Sequence, residues 1–213
     1  DVGRGCDEGL FEKLDYSKIG SKADFAPAAA VQECGIGIFV WSTVMAYNGD
    51  KLKGTPTTWA DFWDTRKFPG KRGMRKGARY NLEFALMADG VKPPDVYKVL
   101  ATKDGAERAF RKLAELRPNL QWWEAGAQPP QFLVAGDVVM SSAYNGRIDA
   151  AQREGRKLAI AWTGNIYDLD YWTIPKGAPN RELALRYIAL ASDPDRQAEY
   201  ARMISYGPTA TKA

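Results

Sequence analysis

Between Asp137 and Pro175 the sequence carries an arginine and an acid, each set among aromatic residues: AYNGR brings Tyr144 close to Arg147, and IYDLDYW surrounds Asp170 with Tyr167, Tyr171 and Trp172. A guanidinium and a carboxylate beside aromatic faces suit a small ligand that carries both charges, because each group makes a charge-assisted hydrogen bond and the rings pack on methylenes. The same residues make a poor catalytic set. The chain has no histidine, which excludes Ser-His-Asp and Cys-His arrangements, an imidazole metal site and the usual near-neutral general base. One catalytic reading stays open, in which Asp137, Asp168 and Asp170 serve as acid/base groups or hold a divalent metal.

The elements that must position these residues alternate between strand and helix. Ile36 to Tyr47 is a long β-branched and aromatic run that ends at the turn Asn48-Gly49, and reads as a buried strand. Thr58 followed by Asp61 makes an approximate capping box for a helix over WADFWD, with Trp59, Phe62 and Trp63 on one face. A second helix is expected over Leu82 to Ala88. Asp104 and Glu107 form another box-like start, after which Ala109, Phe110, Leu113 and Leu116 recur at helical spacing as a core stripe until Pro118. Val138 to Met140 and Leu158 to Trp162 read as short buried strands on either side of a polar helix over Arg147 to Glu154. Asn180 is positioned to cap ELALRYIALA, and Asp193-Pro194 to start a last helix through Met203. This alternation predicts an α/β layered fold with a parallel or mixed sheet.

The 213 residues carry a formal charge of +4, which could suit a nucleic acid, but the bases are spread along the chain and interleaved with acids. The densest basic run, from Lys67 to Arg79, lacks stacking aromatics or a recognisable module and is expected to be an ordinary solvated loop. No nucleic-acid partner is expected. No apolar run approaches the roughly 18 residues that a membrane-spanning helix needs.

Several ordered blocks resemble one family. VWSTVMAYN (40–48), TTWADFWD (57–64), FPGKRGM (68–74), AGDVVMSSAYNGR (135–147), DYWTIPKGAPN (170–180) and ASDPDRQAEYARMISYGPTA (191–210) are similar to the bacterial extracellular solute-binding proteins of the spermidine/putrescine type, which serve ABC importers. The resemblance covers essentially the whole chain. It implies a periplasmic-binding-protein fold of type II, in which two α/β lobes joined by crossing strands hold the ligand in the cleft between them. Residues 1–38 and 165–213 would then form part of the first lobe, and residues 39–164 the second. The family carries further segments on both sides of the matched region, so the chain is expected to be a fragment with an incomplete first lobe. In an exported protein of this kind Cys6 and Cys34 would form a disulfide; two small buried thiols are the alternative.

The resemblance also implies site residues. Trp41 lies on a crossing strand where the family sets an aromatic or small polar residue against the ligand, and Ser42 and Thr43 follow it with hydroxyls that could donate. Tyr144 matches an aromatic wall. Asp170 matches the acid that holds an ammonium group, with Tyr167 or Asp168 shaping the same wall. Binders of long polyamines need further carboxylates, because each added ammonium must find a partner once water is removed. The matching positions here, Gly77 and Tyr80, are uncharged, and Tyr80 is itself expected among the ligand-binding residues. Arg147 would repel a polyamine, yet its planar fork suits a carboxylate. An ω-amino acid such as γ-aminobutyrate therefore fits better than spermidine, with a short diamine such as putrescine as the second choice. For Arg147 the competing reading is a surface arginine paired with Asp149 or Glu154. The expected partners are this solute and the subunits of an ABC permease, the expected location is periplasmic, and the full-length protein is expected to be a monomer without catalysis, cofactor or metal.

Overall fold

The computed structural model describes residues 1–213. In chain order it contains α1 (Val2–Asp7), three short 3-10 turns between Tyr16 and Ala30, β1 (Ile36–Asn48), α2 (Trp59–Trp63), β2 (Arg72–Arg75), α3 (Asn81–Ala88), α4 (Val96–Leu100) and α5 (Lys103–Glu115). There follow β3 (Leu120–Trp123), α6 (Gln128–Ala135), β4 (Met140–Tyr144), α7 (Asn145–Arg153), β5 (Leu158–Trp172), α8 (Arg181–Ala191), α9 (Pro194–Met203) and β6 (Gly207–Pro208). The strand order is β3-β2-β4-β1-β5, with β6 also paired to β1. Because β2 runs parallel to β3 and β4 while β4 and β6 run antiparallel to β1, the sheet is mixed. No helix is long and apolar enough to cross a membrane.

Two compact units divide the chain: residues 1–41 with 167–213, and residues 42–166. The chain passes from one to the other inside β1 and again inside β5.

In the first unit, Leu14, Phe25, Ala29, Ile36, Ile174, Leu185 and Ile188 make one core, so that α8 is held by its inward apolar face. The Cys6–Cys34 disulfide, with Cα atoms 5.6 Å apart, ties α1 to the approach of β1. Phe39 on β1 stacks with Tyr200 and Tyr206, at centroid distances of 5.4 and 5.2 Å. Gln197 of α9 is buried, and its Oε1 accepts from the backbone N–H groups of Thr209 and Ala210 at 2.8 Å each. The Thr209 hydroxyl donates to Gly37 O at 2.6 Å, which fastens the same segment to β1.

In the second unit, Ala46 and Ala143 line one sheet face and meet Leu133 of α6 and Ile148 and Ala151 of α7. On α2, Trp59 stacks on Phe84 of α3 at 3.6 Å, and its N–H donates to Gly164 O at 2.9 Å. The Thr58–Asp61 capping box that starts α2 forms as its spacing predicts. Leu86, Val96 and Ala109 join α3, α4 and α5 in a separate core.

Arg72 corrects the reading of Lys67–Arg79 as a solvated loop. It lies on β2, is 0% exposed, and its guanidinium donates to four backbone carbonyls: Phe62 O at 2.7 Å, Gly70 O at 2.7 Å, Phe68 O at 2.6 Å and Asp64 O at 3.2 Å. Burial lowers its pKa to about 10, and the Asp64 charge partly offsets that effect. The residue stays cationic at neutral pH.

Other expectations shift with the pairing. The strand assigned to 138–140 runs from Met140 to Tyr144, and the short buried strand at 158–162 is fifteen residues long and mostly not buried. Helix α5 is capped by Thr102, whose side chain accepts from Gly105 N–H, and not by Asp104; Phe110 is 54% exposed and falls outside the core stripe. Asn180 occupies the N-cap of α8 without a side-chain cap bond, whereas Asp193 caps α9 through the N–H groups of Asp195 and Arg196. The 2–7, 72–75, 96–100, 120–123 and 128–135 elements carry no strong periodic signal, and α6 has prolines in its first turn.

Arg72→Met is expected to lower stability by at least about 3 kcal/mol in urea unfolding, since several buried carbonyls lose their donor; Arg72→Lys should recover little, as one ammonium cannot span the fork. Burial raises the Asp61 carboxyl, but the ammonium of Lys67 and the N–H groups of Thr57 and Thr58 outweigh it and hold the group well below the usual carboxylate range. Its contribution is therefore complete above the ordinary carboxylate pKa and is lost as pH falls through the depressed value. Asp61→Asn should cost about 1 kcal/mol near neutral pH and flatten the acid side of the stability profile. For the disulfide, which spans a separation of 28 residues, the Cys6→Ser/Cys34→Ser pair should lose about 3–4 kcal/mol in the same measurement.

Candidate functional site

Asp170 is exposed, near the end of β5, and β5 lies beside β1 in the sheet. Its position follows from strand alternation. Leu169 packs against the core of the first unit and the Tyr171 hydroxyl donates to Ala28 O at 2.6 Å, so Asp168 and Asp170 turn to the opposite face. From β1 the Trp41 indole N–H donates to Asp170 Oδ1 at 3.0 Å. The indole is a donor only, so the bond takes one lone pair of Oδ1 and does not engage Oδ2. Asp168 is half-buried, and its Oδ1 accepts the N–H of Leu169 at 2.9 Å. Tyr167, 65% exposed, falls by the same alternation on the Leu169 face, so Asp168 and not Tyr167 shares a face with Asp170. Burial raises the Tyr171 hydroxyl, and the Asp168 charge adds to the shift.

In the second unit, Tyr144 ends β4 opposite Thr43. The Trp123 ring meets it edge-on at 5.4 Å. A Cβ on Gly126 would stand 2.8 Å from the Tyr144 ring, so this loop approaches the ring only because residue 126 is glycine. Ser42 contributes its backbone: its N–H donates to Asn145 Oδ1 at 2.9 Å, while Thr43 is 2% exposed beside it. Ser42 and Tyr144 are therefore brought to one end of the β1–β4 pair. Asn145 and Trp123 complete this cluster and were missed. An Asn before Gly at a helix start suggests an N-cap, but Tyr144 holds that position and Asn145 bonds across to β1.

Tyr80 occupies the N-cap of α3. It is 5% exposed, it is the non-glycine residue with positive φ, at 69°, and the Arg79 guanidinium sits 5.0 Å from its ring centroid. Asn81 braces this strained turn by donating to Arg75 O and Gly77 O. Burial raises the nearby Glu83 carboxyl, while the N–H groups of Glu83 and Tyr80 and the Arg79 charge oppose the shift.

Arg147 is exposed on the first turn of α7. With Ala150, Ala151 and Glu154 it faces Pro130 and Val134 of α6 across a groove of about 480 Å³. Asp149, one of its two candidate partners, pairs instead with Arg153 at 2.7 Å, while Glu154, the other, lines the same groove. Asp137 lies in the turn after α6 and belongs to the other unit from Asp168 and Asp170. No three His, Cys, Asp or Glu residues are grouped to hold a metal ion, which removes the three-aspartate metal centre.

The whole chain, residues 1–213, matches the model of the family described as bacterial extracellular solute-binding protein. It is 62% identical over 205 residues to the γ-aminobutyric acid-binding protein of Pseudomonas aeruginosa, covering 96% of this chain and 58% of that protein. It is 26% identical to the spermidine/putrescine-binding periplasmic protein of Escherichia coli K12, over 93% of this chain and 58% of the relative. Among solved structures it resembles the Atu4243 GABA receptor, with a TM-score of 0.87 and 36% identity over 99% of this chain and 64% of that one. The chain thus spans under two thirds of the length of each of these relatives, and its α/β architecture is that of the periplasmic binding proteins. On the match to every residue of the sequence, the chain belongs to the bacterial extracellular solute-binding protein family.

Proposed function

We propose that this protein captures a small solute bearing one amine and one carboxylate, of the γ-aminobutyrate class, outside the cytoplasm and delivers it to the permease of an ABC importer. The two compact units are read as the two lobes of the binding protein. Asp170 receives the ammonium and Arg147 the carboxylate, with Trp41 and Tyr144 supplying aromatic surface, Asp168 shaping the Asp170 side and Ser42 holding Asn145 beside Tyr144. No bond is made or broken, and no cofactor or metal takes part.

The observation that carries this reading is the Asp170 carboxylate, exposed on a strand, held by the Trp41 indole N–H at 3.0 Å and with its second oxygen not engaged by that bond. An exposed guanidinium at Arg147, one of whose two candidate acids, Asp149, is paired with Arg153, adds the opposite charge. Gly77 and Tyr80 are uncharged where a long polyamine would require acids, and Tyr80 is buried besides. The 62% identity to a γ-aminobutyric acid-binding protein supports the same ligand class. A short diamine carries no carboxylate for Arg147 to take.

Calorimetric titration separates these ligands. Asp170→Ala should weaken both γ-aminobutyrate and putrescine about 10- to 100-fold, the range for a hydrogen bond to a charged group. Arg147→Ala should weaken γ-aminobutyrate by a similar factor while sparing or improving putrescine. Equal losses for the two ligands in Arg147→Ala would refute the zwitterion reading, and an unchanged Asp170→Ala titration would remove Asp170 from the site.

A further inference from the structure

The Trp41–Asp170 hydrogen bond joins residues 129 apart in sequence, on adjacent strands of the first unit, with its acceptor on the exposed surface. Such a bond contributes little to stability where water can replace it. What it changes is the carboxylate. Unrestrained, an exposed aspartate turns about its side-chain torsions and offers either oxygen, or both together. Held by the indole, it offers Oδ2 in a fixed direction.

Resting on the assignment of Asp170 to the solute's amine, we infer that Trp41 is a positioning and specificity-determining residue: its N–H takes one lone pair of Oδ1 and fixes how the carboxylate is turned, which favours a primary ammonium at Oδ2 over a guanidinium that seeks a site on each oxygen. The chemistry of the two cations carries the distinction. An ammonium is a compact charge that is satisfied by one carboxylate oxygen and other acceptors around it. A guanidinium presents parallel N–H groups that pair best with both oxygens of one carboxylate at once. With one lone pair of Oδ1 taken and the carboxylate held by the indole, that fork must compete with the Trp41 N–H for one of its two contacts. Because the indole N–H cannot accept, it also cannot compensate a cation that arrives at Oδ1. This role of Trp41 lies in its N–H and is additional to the aromatic surface its ring supplies.

Trp41→Phe keeps the ring and removes the donor. Binding of γ-aminobutyrate and of γ-guanidinobutyrate is measured for the parent protein, Trp41→Phe and Asp170→Ala, with thermal unfolding to check that each is folded. The expected result is a loss of about tenfold for γ-aminobutyrate in Trp41→Phe, with a smaller loss or a gain for γ-guanidinobutyrate, so that the preference for the amine narrows. The Trp41 indole N–H resonance should also move upfield in Asp170→Ala, a signature that ring packing alone would not produce. Unchanged affinities in Trp41→Phe, or equal losses for both ligands, would overturn the role of the N–H even where Asp170→Ala abolishes binding. Full binding by Asp170→Ala would sink the underlying site assignment, and the resonance shift would still report whether the bond exists.

Discussion

A single buried cation organises the second unit. The Arg72 guanidinium spends its donors on carbonyls at the end of α2 and along the turn that follows it, groups that a short helix leaves without intrahelical partners. Desolvating a guanidinium is expensive, and the expense is offset because every partner is a backbone acceptor, with the bonds to Phe62 O and Phe68 O buried. The result is a bracket between the turn Phe62–Gly70 and β2. Since β2 pairs with β4 through Arg72 and Met140, and β4 leads directly into Tyr144, the same bracket sets the line along which that ring is presented.

The first unit reaches its candidate site by a different route. There the placement depends on strand parity: once Leu169 enters the core and the Tyr171 hydroxyl finds Ala28 O, the aspartates between and before them must face the other way. A shift of one residue in β5 would bury a carboxylate and expose a leucine, so the core enforces the register that presents Asp170. The site residues are thus not stabilised where they stand. They are carried by neighbours whose alternatives cost more.

What could be read from sequence was what is settled locally. The Thr58–Asp61 box and the Asp193-Pro194 start are determined within a few residues, and the long apolar run of β1 has no other use. The family blocks singled out Trp41, Tyr144, Arg147 and Asp170 as candidates. The rest depended on partners distant in sequence. Arg72 looks like any surface base because its partners are carbonyls, which every residue has. The full length of β5 was hidden by Gly164 and by its polar residues, since its continuation comes from pairing and not from apolar pattern. Tyr167 was grouped with Asp170 by proximity along the chain, where parity separates them. The indole-to-carboxylate bond could not be inferred without knowing that β1 and β5 are neighbours.

The tie from Gln197 to Thr209 and Ala210 has an effect beyond holding the last segment. It lays β6, only Gly207 and Pro208, along Phe39 and Val40 of β1. A two-residue strand ending in an imino acid satisfies part of its neighbour yet has almost no donors of its own to extend. The margin of β1 is thereby closed by a piece too short, and too poor in N–H groups, to recruit a strand from another molecule. A seal of this kind guards against edge-to-edge pairing without adding a covering helix.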